Sequence, residues 1–259
     1  MKHKTILLLI PSLLFISGCE YDGKYEEYNN PNSYTLLENQ QGEIAQEDLT
    51  FKYVDISWHR GNVNFVATDF GTVSIEETSN VEPQGSLISR YAVLDETLFI
   101  KYASSGSNLS DKLTKDITIF VNTSLPELAN LNYRIYSTIG DANLTEIPAN
   151  NLYISIFYGN VTLTDVECKN APQIGVNRGS VTSENLFFTG TLEVAANYEK
   201  VTLGLDQRIK GFIPVFQIID GTSFVYAERF PEGDNFYGEH MENDVTIRVV
   251  INHGSLMIY

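Results

Sequence analysis

Cysteine is nearly missing from this sequence: 2 in 259 residues. No disulfide framework can brace the fold, and no Cys pair is spaced to grip zinc. Histidine is as sparse, with 4 residues. His59, His240 and His253 are scattered, and His3 lies in the N-terminal leader, so no pair has the helical spacing of metal ligands. Basic residues are few, 17 Lys and Arg against 33 Asp and Glu, and the net charge is −16. That excludes nucleic acid, which demands basic patches, and adhesion to anionic lipid through protein charge. Long acidic runs are missing too, so the charge is a solvated surface and not a tail. Helical periodicity is almost absent. No apolar run reaches the roughly 20 residues of a membrane-spanning helix. No Gly-x-Ser-x-Gly elbow marks a serine nucleophile, and no cofactor motif is present.

What is present begins with a leader. Lys2 and Lys4 precede Ile6 to Ile16, apolar except for Pro11 and Ser12, and Ser17-Gly18-Cys19 follows. A positive start, a short apolar run and small residues make a secretory signal. Ile16-Ser17-Gly18-Cys19 resembles the bacterial lipobox. The resemblance implies a signal peptide over 1–18, cleavage before Cys19 and acylation (palmitate-like chains) of Cys19 itself, each buried CH2 adding roughly 0.8 kcal/mol of anchoring. Loss of Lys2 and Lys4 would take the net charge from −16 to −18. Cys168 would then have no intramolecular partner, and its strand-like setting suggests a small buried side chain. Residues 19–50 read as the lipidated cysteine and a flexible tether, with a turn cluster at Asn29-Asn30-Pro31-Asn32-Ser33. Lys24-Tyr25-Glu26-Glu27 is similar to the acidic export signals of Bacteroidetes surface lipoproteins. The expected address is the cell envelope, at the outer membrane.

From Phe51 on, period-2 alternation dominates, as in Val54/Ile56/Trp58, Val63/Phe65 and Ile117/Ile119/Val121. Hydrophobic residues make up 43% of the chain, enough to fill a core. Glycine recurs ahead of the strands in a form Gly-polar-apolar-polar-apolar: Gly61 to Phe65, Gly71 to Ile75, Gly140 to Leu144 and Gly159 to Leu163. Gly179 to Ser183 is a degraded copy and Gly254 to Ile258 a late one. The copies at 140, 159 and 179 step by about 20 residues, and Glu199 to Leu203 keeps the strand without the glycine. A period near 20 with two strand signals predicts an all-β β-solenoid, a β-helix-like stack of short strands over 51–259. A β-sandwich is the alternative. Residues 206–259 break the repeat and read as an irregular C-terminal cap. Within them Val245 to Ile251 and Leu256 to Ile258 suggest a closing hairpin.

The repeats from Phe51 to Leu205 resemble the bacterial putative adhesin domain family, whose members carry degenerate Gly-x-Ile-x-Leu repeats and are often exported. Leu125-Pro126-Glu127-Leu128 takes the place of that family's connection into the first regular rung. The resemblance implies a solenoid-like fold and no transferable catalytic residues. The expected function is a non-catalytic, adhesin-like envelope lipoprotein binding a protein or glycan. A carbohydrate-active enzyme or accessory carbohydrate-binding module is the alternative. Asp165 and Glu167, two apart in one strand, would share a face as a hydrolase pair requires. The candidate ligand site is the loop Phe230 to His240, with Phe230, Asp234, Phe236, Tyr237 and His240, and Trp58 as a second place. Aromatics near polar residues suit sugar rings. No metal is expected.

Overall fold

The computed structural model describes residues 33–233, 235–240 and 244–259. The leader, Cys19, the Lys24 to Glu27 segment and Asp234 lie outside the described residues. The chain is all-β: apart from short 3-10 turns no helix occurs among the described residues. In chain order the strands are β1 (Thr35–Leu36), β2 (Gln41–Ile44), β3 (Tyr53–Arg60), β4 (Val63–Thr68), β5 (Val73–Ser79), β6 (Arg90–Leu94) and β7 (Thr97–Lys101). Next come β8 (Lys115–Asn122), β9 (Leu131–Ile139), β10 (Ala142–Thr145), β11 (Pro148–Tyr158), β12 (Val161–Thr164), β13 (Glu167–Cys168), β14 (Gln173–Arg178) and β15 (Val181–Phe188). The rest are β16 (Thr191–Leu205), β17 (Gly211–Val225), β18 (Glu232–Gly233), β19 (Phe236–Gly238) and β20 (Val245–Ile258).

Rungs stack in parallel along two columns. The first joins β3, β9, β11, β14 and the front half of β16, and the second joins β4, β10, β12, β15 and the rear half of β16. β20 and then β17 continue both columns. Alternate side chains point inward, so like residues line up rung over rung. Ile56, Ile135, Ile154, Ile174, Val194 and Val249 form one buried file, and Val63, Ala142, Val161, Val181, Val201 and Leu256 the other. Each valine, leucine or isoleucine in these files contributes roughly 1.5–3 kcal/mol, but only with a neighbouring rung to cover it.

The glycine repeat is the corner between the columns. Gly140 and Gly159 have φ of 132° and 145°. A Cβ on either would come within 2.0 or 2.1 Å of the carbonyl oxygen of the corner glycine one rung earlier, Gly61 or Gly140. The polar residue after each glycine ties the corners together. Asp141 N–H donates to Asn62 Oδ1 (3.0 Å), Asn160 N–H to Asp141 Oδ1 (2.7 Å) and Ser180 N–H to Asn160 Oδ1 (2.9 Å). Where the glycine is lost, Glu199 still adopts a positive φ of 86°.

Three expectations differ from the structure. Residues 34–50 are not a tether: Tyr34, Leu37, Ile44 and Leu49 are buried, and β1 and β2 pair antiparallel with β6 and β5. Their apolar side chains are spaced by turns, which hides the strand pattern. Gly71 opens no rung. It leads into β5, which runs antiparallel to β8, and a Cβ there would meet nothing within 4 Å. Among the described residues the C-terminal part is not irregular throughout: β17 and β20 are long strands that continue the columns. Val245 to Ile258 is one strand bent at Gly254 (φ 149°), another rung corner and not a hairpin.

The two ends of the stack are built differently. At the first, β7 and β8 extend the columns in parallel, and β6, β5, β2 and β1 fold back antiparallel. Beneath them lies Lys115, fully buried, donating to the Leu87 carbonyl (2.5 Å), the Ser89 hydroxyl (2.8 Å) and the Tyr102 carbonyl. The Glu77 carboxylate is 3.9 Å away and accepts from the Ser89 hydroxyl. Burial pushes the Lys115 ammonium down to about 8 and raises the Glu77 carboxyl. At the other end β17 is outermost, and β19 covers it only at Gly211–Phe212.

Candidate binding groove

On the outer face of the first column, side chains in register form rows across the rungs. Ser57 pairs with Tyr136 and Tyr136 with Ser155, followed by Gly175 and Ala195, then Val250 and Gln217. The small residues sink the middle of this row into a trough. On one side it is bordered by the row two residues earlier, Tyr153, Gln173, Glu193 and Arg248, whose side chains line a separate, smaller hollow and not the groove. Tyr153 leans on Tyr136 with ring centroids 5.4 Å apart, and Arg248 lies 3.6 Å from Glu193. On the other side the bank is Phe157 with an amide ladder. Asn252 donates to Asn197 Oδ1 and Asn197 to Asn177 Oδ1, each at 2.6 Å. The loop Ala103 to Leu109 closes the end nearest β3, and the groove holds about 1320 Å³.

Behind the amide ladder runs a second file that stiffens the bank. The Arg178 guanidinium lies 5.4 Å from the Tyr158 ring and 5.7 Å from that of Tyr198. Tyr198 stacks on His253 at 5.3 Å, and His253 Nδ1 is 3.2 Å from Asp220 Oδ2. Stacking of this kind contributes about 0.5–1.5 kcal/mol per pair beyond burial. Phe157, 49% exposed, meets Tyr158 edge-on and leaves the rest of its ring open.

The groove differs electrically from the rest of the surface. None of its lining residues is Asp or Glu, in a chain of net charge −16. Its lysine, Lys101, sits 4.4 Å from the Tyr34 ring centroid, and burial lowers its ammonium while the charge of Asp55 opposes the shift. Hydroxyls and amides dominate the remainder. Two buried polar atoms at the closed end, His59 Nε2 and Ser137 Oγ, have no hydrogen-bond partner among the described residues. Such groups are uncommon in folded proteins.

The residues expected from the sequence are distributed as follows. Trp58 contributes to the closed end of the groove. Its indole is buried, donates to the Lys115 carbonyl (2.7 Å) and meets Tyr102 edge-on. The Phe230 to His240 loop is elsewhere, folded against the start of β17. Phe230 is fully buried edge-on to Phe212, and Tyr237 stacks on Phe212 at 5.5 Å. Phe236 is buried beneath the His240 imidazole at 3.8 Å, and His240 Nδ1 lies 2.9 Å from Asp244 Oδ2. Phe230 and Tyr237 meet around Phe212, Phe236 lies under His240, and of these four loop residues only His240 is exposed. Asp165 and Glu167 do not share a strand face. The chain turns at Asp165 (φ 52°), which accepts from Asn185, while Glu167 pairs with Arg208 at 2.9 Å. Tyr102 is buried. Cys168 is buried as expected, and desolvation pushes its thiol up to about 11. No group of three or more His, Cys, Asp or Glu converges among the described residues. The groove residues Phe157, Asn177 and Asn197 were not singled out from the sequence. Asn177 and Asn197 do recur at the 20-residue step of the glycines, so reading the repeat at every position would have found them.

No family model and no curated protein matches the sequence. Among solved structures, the chain is similar to a putative cell adhesion protein from Clostridium sporogenes ATCC 15579. The identity is 15%, the match covers 84% of this chain and 96% of that one, and the TM-score is 0.52. A putative adhesin from Bacteroides fragilis NCTC 9343 is 14% identical over 85% and 95% of the two chains, with a TM-score of 0.42. One from Parabacteroides distasonis ATCC 8503 is 10% identical over 86% and 96%, with a TM-score of 0.38. The first of these likenesses speaks for a shared fold; the other two carry no argument.

Proposed function

We propose that this protein is a β-solenoid recognition module of the cell envelope, exported, anchored through a lipid on Cys19, and non-catalytic. Its role is adhesin-like, and the groove is its ligand-binding surface, with a glycan favoured over a protein. The observation that carries this reading is the composition of the groove: hydroxyls, amides and an open Phe157 ring, with no carboxylate, on an otherwise acidic chain. Sugar rings stack their apolar faces on aromatics and hydrogen-bond at their edges, and neither requires charge. Rungs about 4.8 Å apart repeat the same amide along the bank, which suits an extended ligand of repeating units. Glycosidic cleavage needs two carboxyls about 5–10 Å apart facing the bond, and the groove lining supplies none, which supports binding without hydrolysis. The adhesion role is taken over from the Clostridium sporogenes protein with the similar fold.

The test is a glycan screen with purified protein beside a Phe157→Ala, Asn197→Ala variant. Saturable binding that weakens at least about tenfold in the variant supports the groove. Binding equal in both proteins removes the groove as the site, and no glycan bound by either removes the glycan reading.

A further inference from the structure

We infer that the free edge of β17 pairs antiparallel with the same edge of a second copy of this chain, about a two-fold axis at Phe216, joining two grooves into one. Among the described residues, β17 bonds to β20 along one side, and on the other side β19 reaches only Gly211–Phe212. From Ile213 to Val225 no strand among the described residues lies beside the outer N–H and C=O groups. An unpaired edge is a template for another strand, and natural proteins blunt it with charge, brevity or a cover. Between 213 and 219 β17 uses none of these, and Pro214 is the one residue that interrupts the edge. The run Ile213-Pro214-Val215-Phe216-Gln217-Ile218-Ile219 carries no charge in a chain of net charge −16, and Ile213, Val215 and Ile219 are exposed. Elsewhere on so acidic a surface a second copy meets repulsion; along this run it does not.

The register follows from what bounds the run. β19 blocks residues before 213, and the rung corner at Gly221 bends the strand after 219. The straight free stretch is therefore seven residues long with Phe216 at its centre. A two-fold axis there sets Ile213 opposite Ile219 of the copy and Val215 opposite Gln217, so an apolar edge meets its own complement. The pairing is isologous and closes as a dimer. Pro214 lacks an N–H and removes at most one bond per copy, as befits an edge strand. Gln217 is also the last groove residue on this side, so the two grooves meet at the axis. The interface is at the small end of specific contacts, and a dissociation constant of order micromolar is expected.

Sedimentation velocity of the purified full chain at about 100 μM tests this, a concentration that fills a micromolar site. The wild type should be a dimer. Ile213→Lys with Ile219→Lys places like charges opposite each other twice and should give a monomer with an unchanged urea midpoint. Ile213→Lys with Ile219→Glu places opposite charges there and should keep the dimer. A monomeric wild type, a dimer that survives the two lysines, or a monomeric Lys/Glu variant each overturns the proposal. Glycan binding by the double-lysine monomer is read separately, so failure of the groove and failure of the edge are distinguishable.

Discussion

The first end of the stack finishes in edge strands of 4 and 2 residues, β2 and β1; the last finishes in β17, 15 residues long. The first end turns the sheet back on itself and buries a lysine and a carboxylate beneath the turn. The last end leaves its long strand bare and pins only one corner of it, through Phe212, Phe230 and Phe236. The difference shows that terminating a parallel stack is a separate problem from building it. One end is covered at the cost of desolvating charge; the other is open, and its stability must come from the aromatic pin.

Breaking the pin should have the largest effect. Phe230→Ala should cost about 3–5 kcal/mol in urea denaturation, since its ring is fully buried against Phe212. A loss below about 1 kcal/mol would mean that the last end holds without it. The buried lysine offers the next test. Its folded-state value, about 8, lies below its ordinary 10.5. Unfolding therefore takes up protons between those values, and stability gains as pH rises from about 8 to 10.5 and is lost as it falls back. Relative to Lys115→Met, the wild type should gain on the order of 3 kcal/mol between pH 7.5 and 10.5. A pH-independent difference between the two would show that the ammonium is not desolvated. The smallest effect belongs to the open edge. Ile219→Lys should change stability by less than about 0.5 kcal/mol, because the side chain is 66% exposed. A larger loss in the urea midpoint would show that β17 is already covered within one chain.

The body of the stack could be read from the sequence because one physical cause recurs there. Each corner needs a positive φ and room for the carbonyl of the corner before, so glycine returns about every 20 residues at Gly140, Gly159 and Gly179. The same cause misled at Gly71, where a five-residue pattern identical in form serves an antiparallel turn. Only its partner strand distinguishes the two, and pairing is not a local property. The separation of 79 positions from Asn62 to Asp141 hid that these corners are neighbours, with β5 to β8 folded into the interval. The groove was less legible than the fold. Its floor is defined by what is small, Ser155, Gly175 and Ala195, and its banks by residues two positions away on successive rungs. The loop from Phe230 to His240 attracted attention through its aromatics, but aromatics close in sequence can cluster with one another as readily as with a ligand, and here they do.

Residues 245–258 lie between β16 and β17 although they follow both in the chain. Rungs up to β16 can be laid down in the order in which the chain emerges, each on the one before. The next cannot: β17 emerges first and has no seat until β20 arrives to provide it. Growth of the stack thus halts at Leu205 and resumes only when a segment some forty residues further on has been delivered, with the hydrophobic strand 211–225 waiting uncovered in the meantime. Loss of the β20 segment would therefore remove more than one strand, because β17 would be left without the surface on which it forms.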